Sequence, residues 1–260
     1  MLTATNLTIH IGQRAILTAV DFQARAGAIT AIVGPNGCGK TTLMRALTGE
    51  VAGVGDLSLN GVSVNGARPA RLAAMRAVLP QATPLAFPFL VGEVVRLGLS
   101  SGLSAGDPQV ASQALAAVGL NGFANRFYQE LSGGEQQRVQ LARVLAQVWM
   151  PAGPDGPRWL LLDEPVASLD IGHQLMVMNI ARAYADAGGG VVAVMHDLNL
   201  TAMFADTVTL LGEGGVLGSG RPSDVLTDAL LSRAYHCALA VNTPPADRNL
   251  CPRPTRATAA

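Results

Sequence analysis

Lysine is almost missing from this chain. Of the 18 basic residues among its 260, one is lysine and the rest are arginine. Charge of either sign is scarce: charged residues make up 14%, and 18 acids balance the bases for a formal net charge of zero. Nucleic acid is thereby disfavoured as a partner, because a phosphate backbone is bound through a basic face. No run of eighteen apolar residues occurs, so no membrane-spanning helix is expected. The opening Met1-Leu2-Thr3-Ala4-Thr5-Asn6 has neither a basic start nor a long apolar stretch, so no secretory signal is expected either. Three cysteines, Cys38, Cys237 and Cys251, make no disulfide framework and no metal cluster, which points to a reducing cytoplasm. Internal repeats and sustained heptads are missing too. What is plentiful is apolar: 49% of residues are hydrophobic, enough for one large core or a core with a subdomain.

The single lysine ends the run Gly34-Pro35-Asn36-Gly37-Cys38-Gly39-Lys40-Thr41-Thr42. A compact ammonium can reach between β- and γ-phosphates, where a broad guanidinium fork replaces it poorly. Before the run, Ala28 to Val33 is apolar and rich in β-branched residues, as a buried parallel strand should be. The glycines let backbone N–H groups turn toward phosphate oxygens. Thr41 through Leu47 reads as a helix whose N-terminus faces the anion. Thr41 is placed on Mg²⁺ and Thr42 on the phosphates, and Cys38, beside Lys40 at a helix start, is expected to have a lowered thiol pKa. Strand, glycine loop and helix together predict a nucleoside triphosphate site.

Elsewhere the patterning is coarser. Leu7 to Val20 alternates around Gly12-Gln13, and Leu57-Ser58-Leu59 is joined to Val62-Ser63-Val64 by Asn60-Gly61, which suits a type I′ turn. Both predict antiparallel hairpins. Ile29–Val33, Trp159–Leu162 and Val191–Met195 are candidate parallel strands. Asp107 and Pro108 open a helix carrying Val110, Ala111, Ala114, Leu115 and Val118 on one face, with Gly119 ending it. Pro151 to Pro157 reads as a surface loop.

Trp159-Leu160-Leu161-Leu162-Asp163-Glu164-Pro165 is an apolar strand ending in two acids. Beside a phosphate loop, such an end holds Mg²⁺ through Asp163 and orients the attacking water through Glu164. Leu131-Ser132-Gly133-Gly134-Glu135-Gln136-Gln137-Arg138 opens a further helix with a second anion cradle. With these three elements the chain resembles the ATP-binding subunits of ABC transporters, whose signature is LSGGQ. The resemblance covers about residues 5 to 240. It implies an α/β P-loop ATPase core of mainly parallel sheet (residues 1–84 and 151–240) with a small antiparallel sheet. It also implies a helical signature subdomain (85–150); the closing stretch, rich in Pro, Thr and Arg, reads by composition as a flexible tail (241–260).

The resemblance also assigns roles residue by residue. Gln81 matches the glutamine that senses Mg²⁺, His196 the switch histidine on the γ-phosphate, and Ser168-Leu169-Asp170 the loop that crosses to the opposite subunit. Gly34 to Thr42 would hold ATP in one subunit while Ser132, Gly133 and Gly134 close over it from the other. Ile11 stands where many relatives carry an aromatic that stacks on adenine, so selectivity for ATP over GTP is expected to be poor. Leu85-Ala86-Phe87-Pro88-Phe89 and the string LSGGEQQRVQLARVLAQ (Leu131–Gln147) narrow the likeness to hemin-import ATP-binding proteins. This implies a homodimer at the cytoplasmic face of a bacterial inner membrane. Its partners would be two transmembrane permease subunits, which dock after Gln81 around Leu85 and Phe87, and a periplasmic hemin-binding protein. Importers for iron-siderophores or cobalamin, and soluble ABC ATPases, are the alternatives; the last usually carry a coiled coil or a second cassette, both missing here.

Overall fold

The structure is a computed structural model that describes residues 1–81, 87–101, 107 and 109–242. The expectations placed on Leu85, on Pro108 and on the tail from 243 onward lie outside the described residues.

Apolar runs with no polar alternation need cover on both faces, and the three such runs in this chain become neighbouring strands. β3 (Ile29–Val33), β9 (Trp159–Asp163) and β10 (Gly190–Val194) are buried at every position. β10 lies between the other two and is parallel to both. β6 (Arg76–Leu79) extends the sheet parallel to β9, and β11 (Thr207–Gly212) extends it parallel to β3. β12 (Gly215–Gly220) closes the far edge, antiparallel to β11, giving the order β12-β11-β3-β10-β9-β6. The side-chain period of two divides these strands between two cores. Ile29, Ala31 and Val33 face one, while Ile32, Trp159, Leu161, Val192 and Val194 face the other.

The second core is shared with an antiparallel sheet. β1 (Leu2–Ile11) and β2 (Arg14–Ala24) form the hairpin expected around Gly12-Gln13. β4 (Val54–Leu59) and β5 (Val62–Ser63) complete the order β2-β1-β4-β5. Asn60 and Gly61 sit at φ 52° and 76°, the left-handed pair that a type I′ turn demands. The Asn60 side chain also accepts from Trp159 Nε1 at 3.0 Å and donates to the Pro157 carbonyl at 2.8 Å, tying this hairpin to the central sheet. Pro151 to Pro157 differs from the expected loop. Its two short strands, β7 (Ala152–Gly153) and β8 (Gly156–Pro157), form a hairpin held at its base by the Arg158 amide on the Pro151 carbonyl.

Helices cover both faces. α1 (Lys40–Leu47) packs in the second core, and α2 (Pro69–Met75) leads into β6. The first core takes α3 (Val91–Ser101), α4 (Gln109–Ala117) and α5 (Gly133–Gln147). It also takes α6 (Ile171–Asp186), α7 (Leu198–Phe204), α8 (Pro222–Val225) and α9 (Asp228–Tyr235). Asp107 Oδ1 accepts from the Gln109 amide at 2.8 Å, and Val110, Ala111, Ala114, Leu115 and Val118 are buried, as the sequence pattern predicts. α3 and α5 approach so closely that a Cβ on Gly98 would overlap the Arg143 carbonyl.

Candidate active site

Parallel register decides where the polar ends of these strands come out. Val194 pairs with both Ile32 and Asp163, and Leu79 pairs with Leu162. Four strands therefore end along one edge. The residues that follow them, Gly34 after β3, Glu164 after β9, His196 after β10 and Gln81 after β6, are gathered there although they lie far apart in sequence. The C-terminal edge of a parallel sheet is where ligands bind in open α/β folds.

The loop from Gly34 to Gly39 delivers the chain into α1. Gly34 has φ 150°, and a Cβ there would lie 2.5 Å from the Leu211 carbonyl and 2.8 Å from Cys38 Sγ, so only glycine fits. Lys40, 5% exposed, donates through Nζ to the carbonyls of Gly34 at 2.8 Å and Pro35 at 2.9 Å. The ammonium is thus held over the loop with one of its three protons free of these carbonyls. A cavity of about 260 Å³ opens above it, lined by Asn36, Gly37, Gly39, Lys40, Thr41 and Thr42 together with Ile16, Glu164 and His196.

Asp163 ends β9 at 4% exposure. Burial pushes its carboxyl above the usual range, and neighbouring Glu164 adds to that. The Thr41 hydroxyl, Lys40 and His196 pull the other way. Its Oδ1 is buried without a hydrogen-bond partner. An orphaned carboxylate oxygen beside a threonine hydroxyl is what a divalent cation would satisfy. Among the described residues no group of three His, Cys, Asp or Glu could hold a metal alone. Mg²⁺ needs none, since it binds through one or two protein oxygens with phosphate and water completing the shell.

Glu164 is left-handed, φ 53°, a conformation that L-residues adopt only when their surroundings hold it. Its Oε2 accepts from Gln81 Nε2 at 2.9 Å, and its Oε1 lies 2.6 Å from His196 Nε2. The three residues expected to carry the chemistry are therefore in direct contact. Ser168, also left-handed at φ 63°, leads to Asp170, which caps α6 by accepting from the His173 amide.

Ser132, Gly133 and Gly134 do not line this cavity. They form the N-terminus of α5 in a full capping box: Ser132 Oγ accepts from the Glu135 amide, and Glu135 Oε2 accepts from Ser132 N and Oγ, both at 2.8 Å. Those two bonds hold the Glu135 carboxyl below its usual range. Ser132 and Gly133 are exposed.

One sequence expectation changes. Cys38 is 6% exposed, and burial raises its thiol pKa against the smaller opposing effect of Lys40 and the loop amides, the reverse of the lowering expected. Ile11 is 53% exposed at the tip of β1, whereas Ile16 of β2 forms the cavity wall. Nothing in the alternating pattern of β2 marked Ile16. Gln137 was also unmarked: its Nε2 donates to the carbonyls of Glu164 and Pro165.

Comparison with known proteins agrees with this geometry. Residues 17–167 match the family model described as ABC transporter. The hemin import ATP-binding protein HmuV of Roseobacter denitrificans is 60% identical over 244 residues, 94% of each chain. Its counterpart in Jannaschia sp. is 60% identical over 248 residues, 95% of this chain and 92% of that one. An ATP-binding cassette solved as a dimer in a post-hydrolysis state, with ADP and Pi bound, superposes with a TM-score of 0.74 at 26% identity. That match covers 85% of this chain and 99% of the other.

Proposed function

This chain belongs to the ABC transporter family, and from that premise we propose that it is the ATP-hydrolysing subunit of an importer, working as a homodimer on a separate permease. The observation that carries the reading is the convergence of Lys40, Asp163, Glu164, His196 and Gln81 on one sheet edge, while the Ser132 turn points elsewhere. One chain supplies one side of a site and leaves the other open. Two copies arranged head to tail complete both.

In the bound state the backbone N–H groups of the 34–42 loop, Pro35 excepted, surround the phosphates, and Lys40 turns its ammonium between the β and γ groups. Thr41 and Asp163 would hold Mg²⁺, which would supply positive charge to offset that of the phosphates. Glu164 orients a water in line with the bond between the γ-phosphorus and the β,γ-bridging oxygen. As the water oxygen bonds to phosphorus, that bond breaks, ADP leaves with the electron pair, and the water proton passes toward the Glu164 carboxylate. His196 steadies the γ-phosphate, and Gln81 fixes the second carboxylate oxygen. Ser132 and the amides of Gly133 and Gly134 reach the γ-phosphate of the partner's nucleotide.

Hemin is the proposed cargo, supported by relatives bearing that name at 52–60% identity across about 95% of the chain. Among the described residues no helix is long and apolar enough to cross a membrane. The proposed position is peripheral, on the cytoplasmic face of the inner membrane, against two permease subunits served by a periplasmic hemin-binding protein. The division into a core (1–84 and 151–240) and a helical subdomain (85–150) belongs to the same reading.

Glu164→Gln tests it. Hydrolysis is expected to fall by about 10²-fold or more, with ATP binding kept and a closed dimer accumulating in size-exclusion chromatography with ATP and Mg²⁺. Rapid turnover by that variant would remove Glu164 from its role. Hemin uptake by the reconstituted transporter, compared with cobalamin and an iron-siderophore, tests the cargo separately.

A further inference from the structure

We propose that Gln137 is a positioning residue that links the two ATP sites of the dimer through the body of one chain. The proposal rests on the shared-site reading above. In that reading, Glu164 serves the nucleotide bound by its own chain, and the Ser132 turn serves the partner's.

Gln137 lies one helical turn beyond Gly133 on α5, the helix whose tip is the signature turn. Its side chain leaves α5 and donates through Nε2 to two successive carbonyls, Glu164 at 3.2 Å and Pro165 at 2.9 Å. These carbonyls flank the turn in which Glu164 is left-handed. An amide donor shared between them fixes the peptide that aims the Glu164 carboxylate. The Glu164 amide is held from the sheet by the Val194 carbonyl at 3.2 Å. The catalytic peptide is therefore suspended between the sheet and the signature helix.

A second contact joins the same two pieces. A Cβ on Gly134 would lie 3.2 Å from Leu169 Cδ2, so the signature turn packs directly on the far end of the 164–169 segment. α6 secures that segment from the other side, with Gln174 Nε2 donating to the Leu169 carbonyl at 3.0 Å. Any shift of α5 caused by closure of Ser132 on the partner's γ-phosphate is carried by the Gln137 amide to the Glu164 backbone. Occupancy of one site thereby sets the aim of the carboxylate in the other.

The experiment compares the full-length dimer with Gln137→Met, which keeps chain length and packing and loses the donor. Gln174→Met serves as control, because it loosens the same segment without touching α5. The readouts are initial hydrolysis rates over a range of ATP concentrations and ATP affinity measured by equilibrium binding. A two-site linked dimer gives a Hill coefficient between 1 and 2. The unmodified dimer is expected to lie clearly above 1. Gln137→Met is expected to fall to about 1 with a several-fold lower kcat, and Gln174→Met to keep its Hill coefficient whatever its rate. If Gln137 only props Glu164, kcat drops while the Hill coefficient stays, and the link is refuted. An unmodified dimer with a Hill coefficient of 1 also refutes it. Should Gln137→Met not fold, Gln137→Asn, which draws the amide back by one methylene, carries the same comparison. Failure of the shared-site reading is read separately, from Glu164→Gln turning over or failing to trap a dimer.

Discussion

Lys40 and Asp163 are 5% and 4% exposed, the first held at the start of α1 by the Gly34 and Pro35 carbonyls, the second fixed at the end of β9. Ser132 and Gly133, proposed to serve the partner's nucleotide, are exposed at the tip of a helix and capped by their own Glu135. The first group is positioned by parallel register, so one strand cannot move without its neighbours. The second is carried at the tip of a helix that meets the 164–169 segment through Gln137 and Gly134, and it moves with that helix. A sheet edge gives fixed geometry; a helix tip gives a surface that waits for a counterpart. In the proposed dimer, dividing one site between these two kinds of support makes chemistry depend on association.

The largest test of this contrast is Asp163→Asn in the fixed half. Loss of the metal-binding charge is expected to lower hydrolysis by on the order of 10²-fold. Stability should move the other way. Burial raises the Asp163 pKa in the folded chain, so its contribution is most favourable below the ordinary carboxylate range and falls as pH rises through the raised value. At neutral pH, without nucleotide or metal, Asp163→Asn is therefore expected to melt at a higher temperature than the parent. A lower melting temperature under those conditions would mean that the carboxylate is not strained by its burial.

Next in size is a heterodimer of one Lys40→Ala chain and one Ser132→Arg chain. Both lesions then fall in one composite site and leave the other whole. Its hydrolysis is expected to stand well above that of either homodimer. Equal inactivity of all three would break the head-to-tail division of the site.

Much of this was legible in the sequence because the demands are local. A phosphate loop needs glycines where a Cβ would strike backbone, as at Gly34, and that need is written into one short run. Asp163-Glu164 at the end of an apolar strand is equally local. The core runs Ile29–Val33 and Trp159–Leu162 were legible because burial on both faces leaves no polar alternation. β6 and β11 were not: β6 is a short edge strand opening on Arg76, and β11 hides Thr209 in the core. The Cys38 thiol was misjudged because it is buried in a core shared with strands as distant in sequence as that of Leu211. The amide bonds of Gln137 and Gln174 depend on how two helices pack against one turn, which no spacing encodes.

The smallest effect concerns the arm that carries the signature turn. Gly98→Ala forces α3 away from the Arg143 carbonyl and is expected to destabilise the chain by about 1–3 kcal/mol. ATP affinity of the fixed half, measured by equilibrium binding below the melting transition, should be unchanged. A matching loss of affinity would show that the two halves are one rigid piece.

Lys40 is the only side-chain amine in the sequence, and its nitrogen lies against the Gly34 and Pro35 carbonyls inside the nucleotide cavity. In most proteins acetylation falls on many surface lysines and changes little. Here acylation of a lysine side chain has a single address in the sequence, and in the proposed site it would remove the charge set against the phosphates, so modification and loss of nucleotide contact would be one event.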